Sequence, residues 1–218
     1  MDAPALTLSV SFWSDQFVNG LTTGSLYALI ALGYTMVYGV LKIINFAHGE
    51  VFMLGSFAGY GVLTAMGGDD VSGAMVAFAI LVALVGAIAA SAGTSAIVER
   101  VAYRPLRNAP RLAPLISAIG VSIFLQYLVL DRTDARAKFY PDIFPRGDFG
   151  IGPFDMTYIQ AFLIVSSLAM MVFLYVIIQR TRMGRAIRAV AENPANASLM
   201  GVDVNRTIVV VFVLGAAM

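Results

Sequence analysis

The chain contains no cysteine, which excludes disulfides, thiolate metal sites and a cysteine nucleophile and leaves the redox compartment unread. Charge is nearly as scarce: 12% of residues are Asp, Glu, Lys or Arg, and the net charge is +1. The basic residues are spread over connections instead of gathered in one patch, so no nucleic-acid partner is expected. A single histidine without cysteine is a poor basis for metal catalysis, and neither H-E-x-x-H nor G-x-S-x-G occurs. No catalytic residue and no metal site is therefore expected. G-x-x-x-x-G-K-[ST] is also absent, the only lysines being Lys42 and Lys138, so the chain holds no P-loop and no ATP or Mg site of its own is expected. The stretch 1–15 carries Asp2 and Asp15 but no Lys or Arg, unlike the basic start of a cleavable signal peptide.

What is abundant is apolar surface: 59% of the 218 residues are hydrophobic and the mean hydropathy is +0.83. Charge-free runs occupy 16–41, 51–68, 71–98, 112–130 and 156–179. Each is near the roughly 20 residues a membrane-spanning helix needs, and in hydrocarbon such runs must bond internally as helix. The spacing predicts an all-α, polytopic transmembrane helix bundle, a single domain over 1–218, embedded in a lipid bilayer. A sixth run begins at Thr207 and is still apolar at Met218, too short to cross by itself, so the chain reads as cut within a helix.

Orientation follows from basic residues in short connections, which stay on the cytoplasmic side. Lys42, then Arg100, Arg104, Arg107 and Arg111, then Arg180, Arg182, Arg185, Arg188 and Arg206 fall in alternate connections. The remaining connections hold Asp69 and Asp70, or the mixed set Asp131, Arg132, Asp134, Arg136, Lys138, Asp142, Arg146, Asp148 and Asp155. The N-terminus is expected outside, with Trp13 as an interfacial anchor. Lipid supplies no hydrophobic drive between helices, so small residues mark contact faces. Gly20 with Gly24, Gly55 with Gly59, and Gly86, Ala89, Ala90 and Gly93 in the third run are the candidates. No internal repeat is evident, against an inverted-repeat architecture.

Two polar segments interrupt the apolar pattern. In 42–50, Asn45, His48 and Glu50 lie between two spans, and a charge at membrane depth costs about 2.5–3.5 kcal/mol on insertion scales. Lys42 is expected to snorkel to the headgroups. Asn45, His48 and Glu50 either cap helix ends in a turn, shape a solute path, or relay protons. The second segment, 180–206, reads as two short helices outside the membrane. Met183, Ala186, Ile187, Val190 and Ala191 recur at helical spacing with Arg182, Arg185 and Arg188 on another side. Asn193 followed by Pro194 is an N-cap and first-turn signal, and Gly201 suits a left-handed stop. A basic helix on anionic headgroups and a docking element for a partner protein both remain open on these residues, although 196–200 is lightly charged for a lipid binder.

The run GSLYALIALGYTMVYG at 24–39, leading into INFAHGE at 44–50, closely resembles the branched-chain amino-acid permease family of bacterial ABC importers. The resemblance continues through VERVAYRPLR at 98–107, ISAIG at 116–120, FLQ at 124–126 and RMGRA at 182–186, and is weakest over 131–155. Family members extend well beyond Met218, so a C-terminal third is expected to be missing. The resemblance implies the ABC importer permease fold, residence in the bacterial inner membrane, and transport of leucine, isoleucine and valine. The implied partners are a second related permease, two cytoplasmic ATPase subunits that bind ATP and Mg, and an extracytoplasmic solute-binding protein. It also implies that 180–206 is the coupling segment that docks on the ATPase, with Gly184, Arg185, Arg188, Glu192, Asn193, Ala197 and Gly201 as contact residues and Arg188–Glu192 as an i, i+4 pair. The family's usual Glu-Ala-Ala pattern is replaced by Ala191-Glu192-Asn193. Permeases for urea or amides are the nearest alternative. A stand-alone ion-coupled transporter or channel would require ionisable residues inside the spans, which hold none, and a membrane enzyme using His48 and Glu50 lacks further polar partners.

Overall fold

The computed structural model of the chain describes residues 10–71, 73–107, 109–110, 112–134, 136–143, 147–151 and 154–218. Asp2, Arg111 and Arg146, read above as charges, lie outside the described residues. The five apolar runs become α1 (Val10–Leu41), α2 (His48–Ala65), α3 (Ala74–Val98), α4 (Leu112–Thr133) and α5 (Tyr158–Arg180). They are followed by α6 (Arg182–Glu192), α7 (Pro194–Leu199) and α8 (Val204–Ala217). Among the described residues, four stretches are long and apolar enough to cross a membrane: Phe12–Leu41, Met75–Leu106, Leu112–Thr133 and Tyr158–Arg180. The remaining run, α2, has 18 residues with His48 and Glu50 in its first turn and is not among these four, although its connections at 42–47 and 66–71 also lie at opposite ends of the bundle. α8 is followed for 14 residues, about 21 Å, up to the end of the chain.

One feature departs from an all-α chain. Asp148–Ile151 (β1) and Phe154–Thr157 (β2) pair antiparallel, Asp148 opposite Thr157. The hairpin delivers the chain to α5, whose start is a capping box: the Gln160 N–H donates to Thr157 Oγ1 at 3.3 Å and the Thr157 N–H donates to Gln160 Oε1 at 2.9 Å.

Across the bundle the order is α4, α2, α3, α8, α1, α5, each packed on the next. The short α8 is therefore central. Its Thr207, Ile208, Val211, Phe212 and Gly215 are buried against α1 and α3. Glycines set two of the seams. A Cβ on Gly33 would lie 2.4 Å from the Gly215 carbonyl oxygen, and one on Gly55 would strike Ser91 Oγ, so α1–α8 and α2–α3 approach at backbone distance. Gly20, Gly24 and Gly93 meet nothing within 4 Å, which corrects the contact faces expected there: α3 uses Ala79, Ala83, Ser91 and Ser95 instead, and Ala89 stays exposed.

The two ends differ. The connections at 42–47, 99–111 and 181–203 gather at one end, hereafter the basic end, where Val37, Val40, Val51, Val98, Tyr103, Ile187, Val190, Ile208 and Phe212 form the larger buried cluster. The connections at 66–73 and 134–157 meet at the other. There the Asp142 N–H donates to Asp69 Oδ1 at 2.7 Å, Tyr140 bonds Ser56 and stacks edge-on against Tyr60, and Ile143 is buried with Leu63, Ala79 and Ala83. The alternation of connections read from the charges is the alternation the bundle builds.

Candidate functional site

Between α1 and α2 the chain turns within the basic end. Lys42 closes α1 with a left-handed φ of 56°, uncommon for a residue with a Cβ. The next polar residue, Asn45, is buried, and its Oδ1 is doubly engaged, accepting from the Ala47 N–H at 3.1 Å and from the Tyr103 hydroxyl at 2.8 Å. His48 is also buried, edge-on to Tyr34 with ring centroids 5.7 Å apart. Glu50 is half-buried in the first turn of α2, where the helix dipole favours a carboxylate. These three residues are adjacent, and two of them hold α1, α2 and the end of α3 together.

The end of α3 carries a group that reading the charges as loop charges missed. The last turn is π-helical over Glu99–Tyr103, a local irregularity often found where function needs a side chain re-aimed. Glu99 is fully buried and ion-paired to Arg107. Arg107 Nη1 in turn donates to Asn205 Oδ1 at 2.6 Å, at the start of α8. Tyr103 packs on Phe212 with centroids 5.2 Å apart, and the Ser95 hydroxyl donates to the Phe212 carbonyl at 2.9 Å. The sequence signal was the Glu99-to-Arg107 spacing around Pro105, which only a bent backbone brings together.

The segment 180–206 folds as α6 and α7 bracketed by the end of α5 and the start of α8. Thr181 caps α6 by accepting from the Gly184 N–H at 3.0 Å, Asn193 caps α7 by accepting from the Asn196 N–H at 3.0 Å, and Gly201 stops it with φ +81°. The apolar face of α6 is buried against α1, α5 and α8, Val190 completely. That face is therefore not laid on headgroups. Of the expected contact residues, Arg185, Arg188, Glu192, Asn193 and Gly201 are exposed. Gly184 and Ala197 are buried beneath them, and a Cβ on Gly184 would collide with the Ile177 and Ile178 carbonyls. Both seat the surface instead of forming it. Arg188 also departs from the expected pairing with Glu192: it donates to the Ile178 carbonyl and so closes the end of α5.

Two residues of this surface were not anticipated. Leu199 and Met200 are each 84% exposed at the tip of α7, beside a cleft of about 310 Å³ lined by Ala189, Glu192, Asn193, Asn196, Ala197, Met200 and Val202. Large apolar side chains held this far out by a capped helix suit insertion into a partner groove. The arginines Arg182, Arg185 and Arg206 of the same segment are all exposed. Among the described residues no group of His, Asp and Glu is placed to hold a metal ion.

The family model of the branched-chain amino acid transport system / permease component matches residues 16–218. The chain is 46% identical over 211 residues to the high-affinity branched-chain amino acid transport system permease protein BraD of Pseudomonas aeruginosa, covering 94% of this chain and 67% of that protein. It is 45% identical over 214 residues to the protein of the same description, LivH, of Escherichia coli, covering 95% of this chain and 68% of that protein. A probable branched-chain amino acid transport permease of Methanocaldococcus jannaschii is 28% identical over 205 residues, 89% of this chain and 60% of that protein. No solved structure matches the chain.

Proposed function

We propose, from the premise that the chain belongs to the branched-chain amino acid transport permease family, that it is the permease subunit of an ATP-binding cassette importer carrying leucine, isoleucine and valine. The observation that carries this reading is 45–46% identity, over nearly the whole chain, to permeases of branched-chain amino acid transport systems. The chain is a membrane protein, and we place it in the bacterial inner membrane as a multi-pass protein with its basic end in the cytoplasm, because Lys and Arg are retained on that side.

Its partners in this reading are a second related permease, two ATPase subunits and an extracytoplasmic solute-binding protein. ATP and Mg are held by the ATPase subunits, and the chain contributes no cofactor site. The surface of Arg185, Arg188, Glu192, Asn193 and Gly201, seated on Gly184 and Ala197 and tipped by Leu199 and Met200, docks on an ATPase subunit. Support comes from the exposed apolar tip and from the way α6 is clamped between α5 and α8, so that force on α6–α7 reaches two helices at once. ATP-driven closure of the partners then shifts the bundle between inward- and outward-open packings. Asn45, His48 and Glu50 lie beside the path and hold the shape of its cytoplasmic mouth. A zwitterion with an apolar side chain needs no strong fixed charge along its way, in keeping with the charge-free runs at 16–41, 51–68, 71–98, 112–130 and 156–179.

The test is uptake of labelled leucine into vesicles carrying the complete transporter, with urea for comparison, with and without internal ATP. Uptake of leucine that needs both ATP and the binding protein is expected. Urea uptake in its place would move the substrate within the same class, and uptake without ATP would overturn the importer reading.

A further inference from the structure

We infer that Glu99, Arg107 and Asn205 form a latch whose release sets α8 free to follow the docking helices, which makes them positioning residues for transport. The inference rests on the reading of α6–α7 as the surface that receives ATPase motion. Glu99 is fully buried and paired with Arg107, yet its second carboxylate oxygen, Oε2, and Arg107 Nε are both buried without a hydrogen-bond partner. A buried ion pair is favourable only when its remaining lone pairs and protons are satisfied, and well-packed apolar residues commonly serve stability better. A half-satisfied pair therefore gains solvation when it opens. The closed form is held at a modest advantage over the open one, which is the condition a two-state element needs.

The geometry says what the opening would move. Asn205 is the second residue of α8 and lies four residues after the α7 stop at Gly201. Further along, α8 is fixed twice at Phe212, by the Tyr103 ring and by the Ser95 hydroxyl. The polar hold at Asn205 lies at the end of α8 into which the chain runs from the docking helices, and the apolar hold at Phe212 lies about two turns deeper. A displacement of α6–α7 pulls on the first and pivots α8 about the second. Because α8 packs on both α1 and α3, the pivot spreads to the two seams that divide the bundle. Arg107 thus ties the π-helical turn of α3 to the one helix that the docking surface leads into.

The experiment uses the complete transporter in vesicles and reads leucine uptake and ATP hydrolysis together. In Asn205→Ala, an exposed change, hydrolysis in the absence of binding protein is expected to rise severalfold while uptake per ATP falls. Asn205→Asp keeps the shape and adds a charge facing Arg107, so hydrolysis without binding protein should stay at or below that of the unaltered protein. Glu99→Gln, which leaves Arg107 without its counter-charge, should act in the same direction as Asn205→Ala. An assembled Asn205→Ala transporter with an unaltered ratio of uptake to hydrolysis, or with both lowered in proportion, overturns the latch. Absence of ATP-dependent leucine uptake by the unaltered transporter would instead overturn the importer reading.

Discussion

Gly33 and Gly215 bring α1 and α8 so close that a single methyl group decides the seam. Gly33→Ala places a Cβ 2.4 Å from the Gly215 oxygen and 3.0 Å from His48 Nε2, so the helices must part and the cost should be about 1–3 kcal/mol. Thermal unfolding of the purified protein in detergent checks it, with Gly39→Ala, where nothing lies within 4 Å, expected to be neutral or slightly stabilising. At the turn between α1 and α2, Tyr103→Phe removes one of two donors to Asn45 and should cost about 1 kcal/mol, whereas Asn45→Ala leaves the buried Tyr103 hydroxyl unpaired and should cost about 1–3 kcal/mol in the same assay. The Asn193 cap, Pro194 start and Gly201 stop were legible in the sequence because their chemistry is local. Glu99 was not, because its burial depends on a helix more than a hundred residues further along the chain.

Among the elements, α6 shows how far periodicity reaches. Its apolar stripe is readable from spacing, but the same stripe fits a headgroup layer or a protein core. Contact with α1, α5 and α8 assigns it to the core, which leaves the charged face and the α7 tip outward. Leu199→Asp or Met200→Asp should therefore abolish binding of the ATPase subunits in co-purification while leaving thermal unfolding of the permease unchanged. Glu192→Arg should uncouple hydrolysis from uptake without loss of membrane insertion. It is a cleaner probe than Arg188→Glu, which also strips the end of α5 of its donor. Normal co-purification in the first pair would remove the α7 tip from the interface.

For the whole molecule the decisive property is that connections of like charge character gather at one end. With no native cysteine, single cysteines report their side without background. Ala195→Cys, at an exposed site on α7, should react with an impermeant reagent only from the cytoplasm. Phe139→Cys, at a site 86% exposed at the opposite end, should react only from outside. The converse pattern would invert the topology. Helix class, the number of apolar runs and the alternation of the connections between two ends were legible in the sequence alone, since each depends on the free energy of transferring a segment, or its flanking charge, between water and hydrocarbon. Tertiary structure alone decided that Gly33 and not Gly20 forms a seam, that α8 packs between α1 and α3, and that Glu99, Arg107 and Asn205 meet. Lipid and protein interior are almost equally apolar, so hydropathy does not distinguish a face turned to one from a face turned to the other; only steric fit and paired polar groups do.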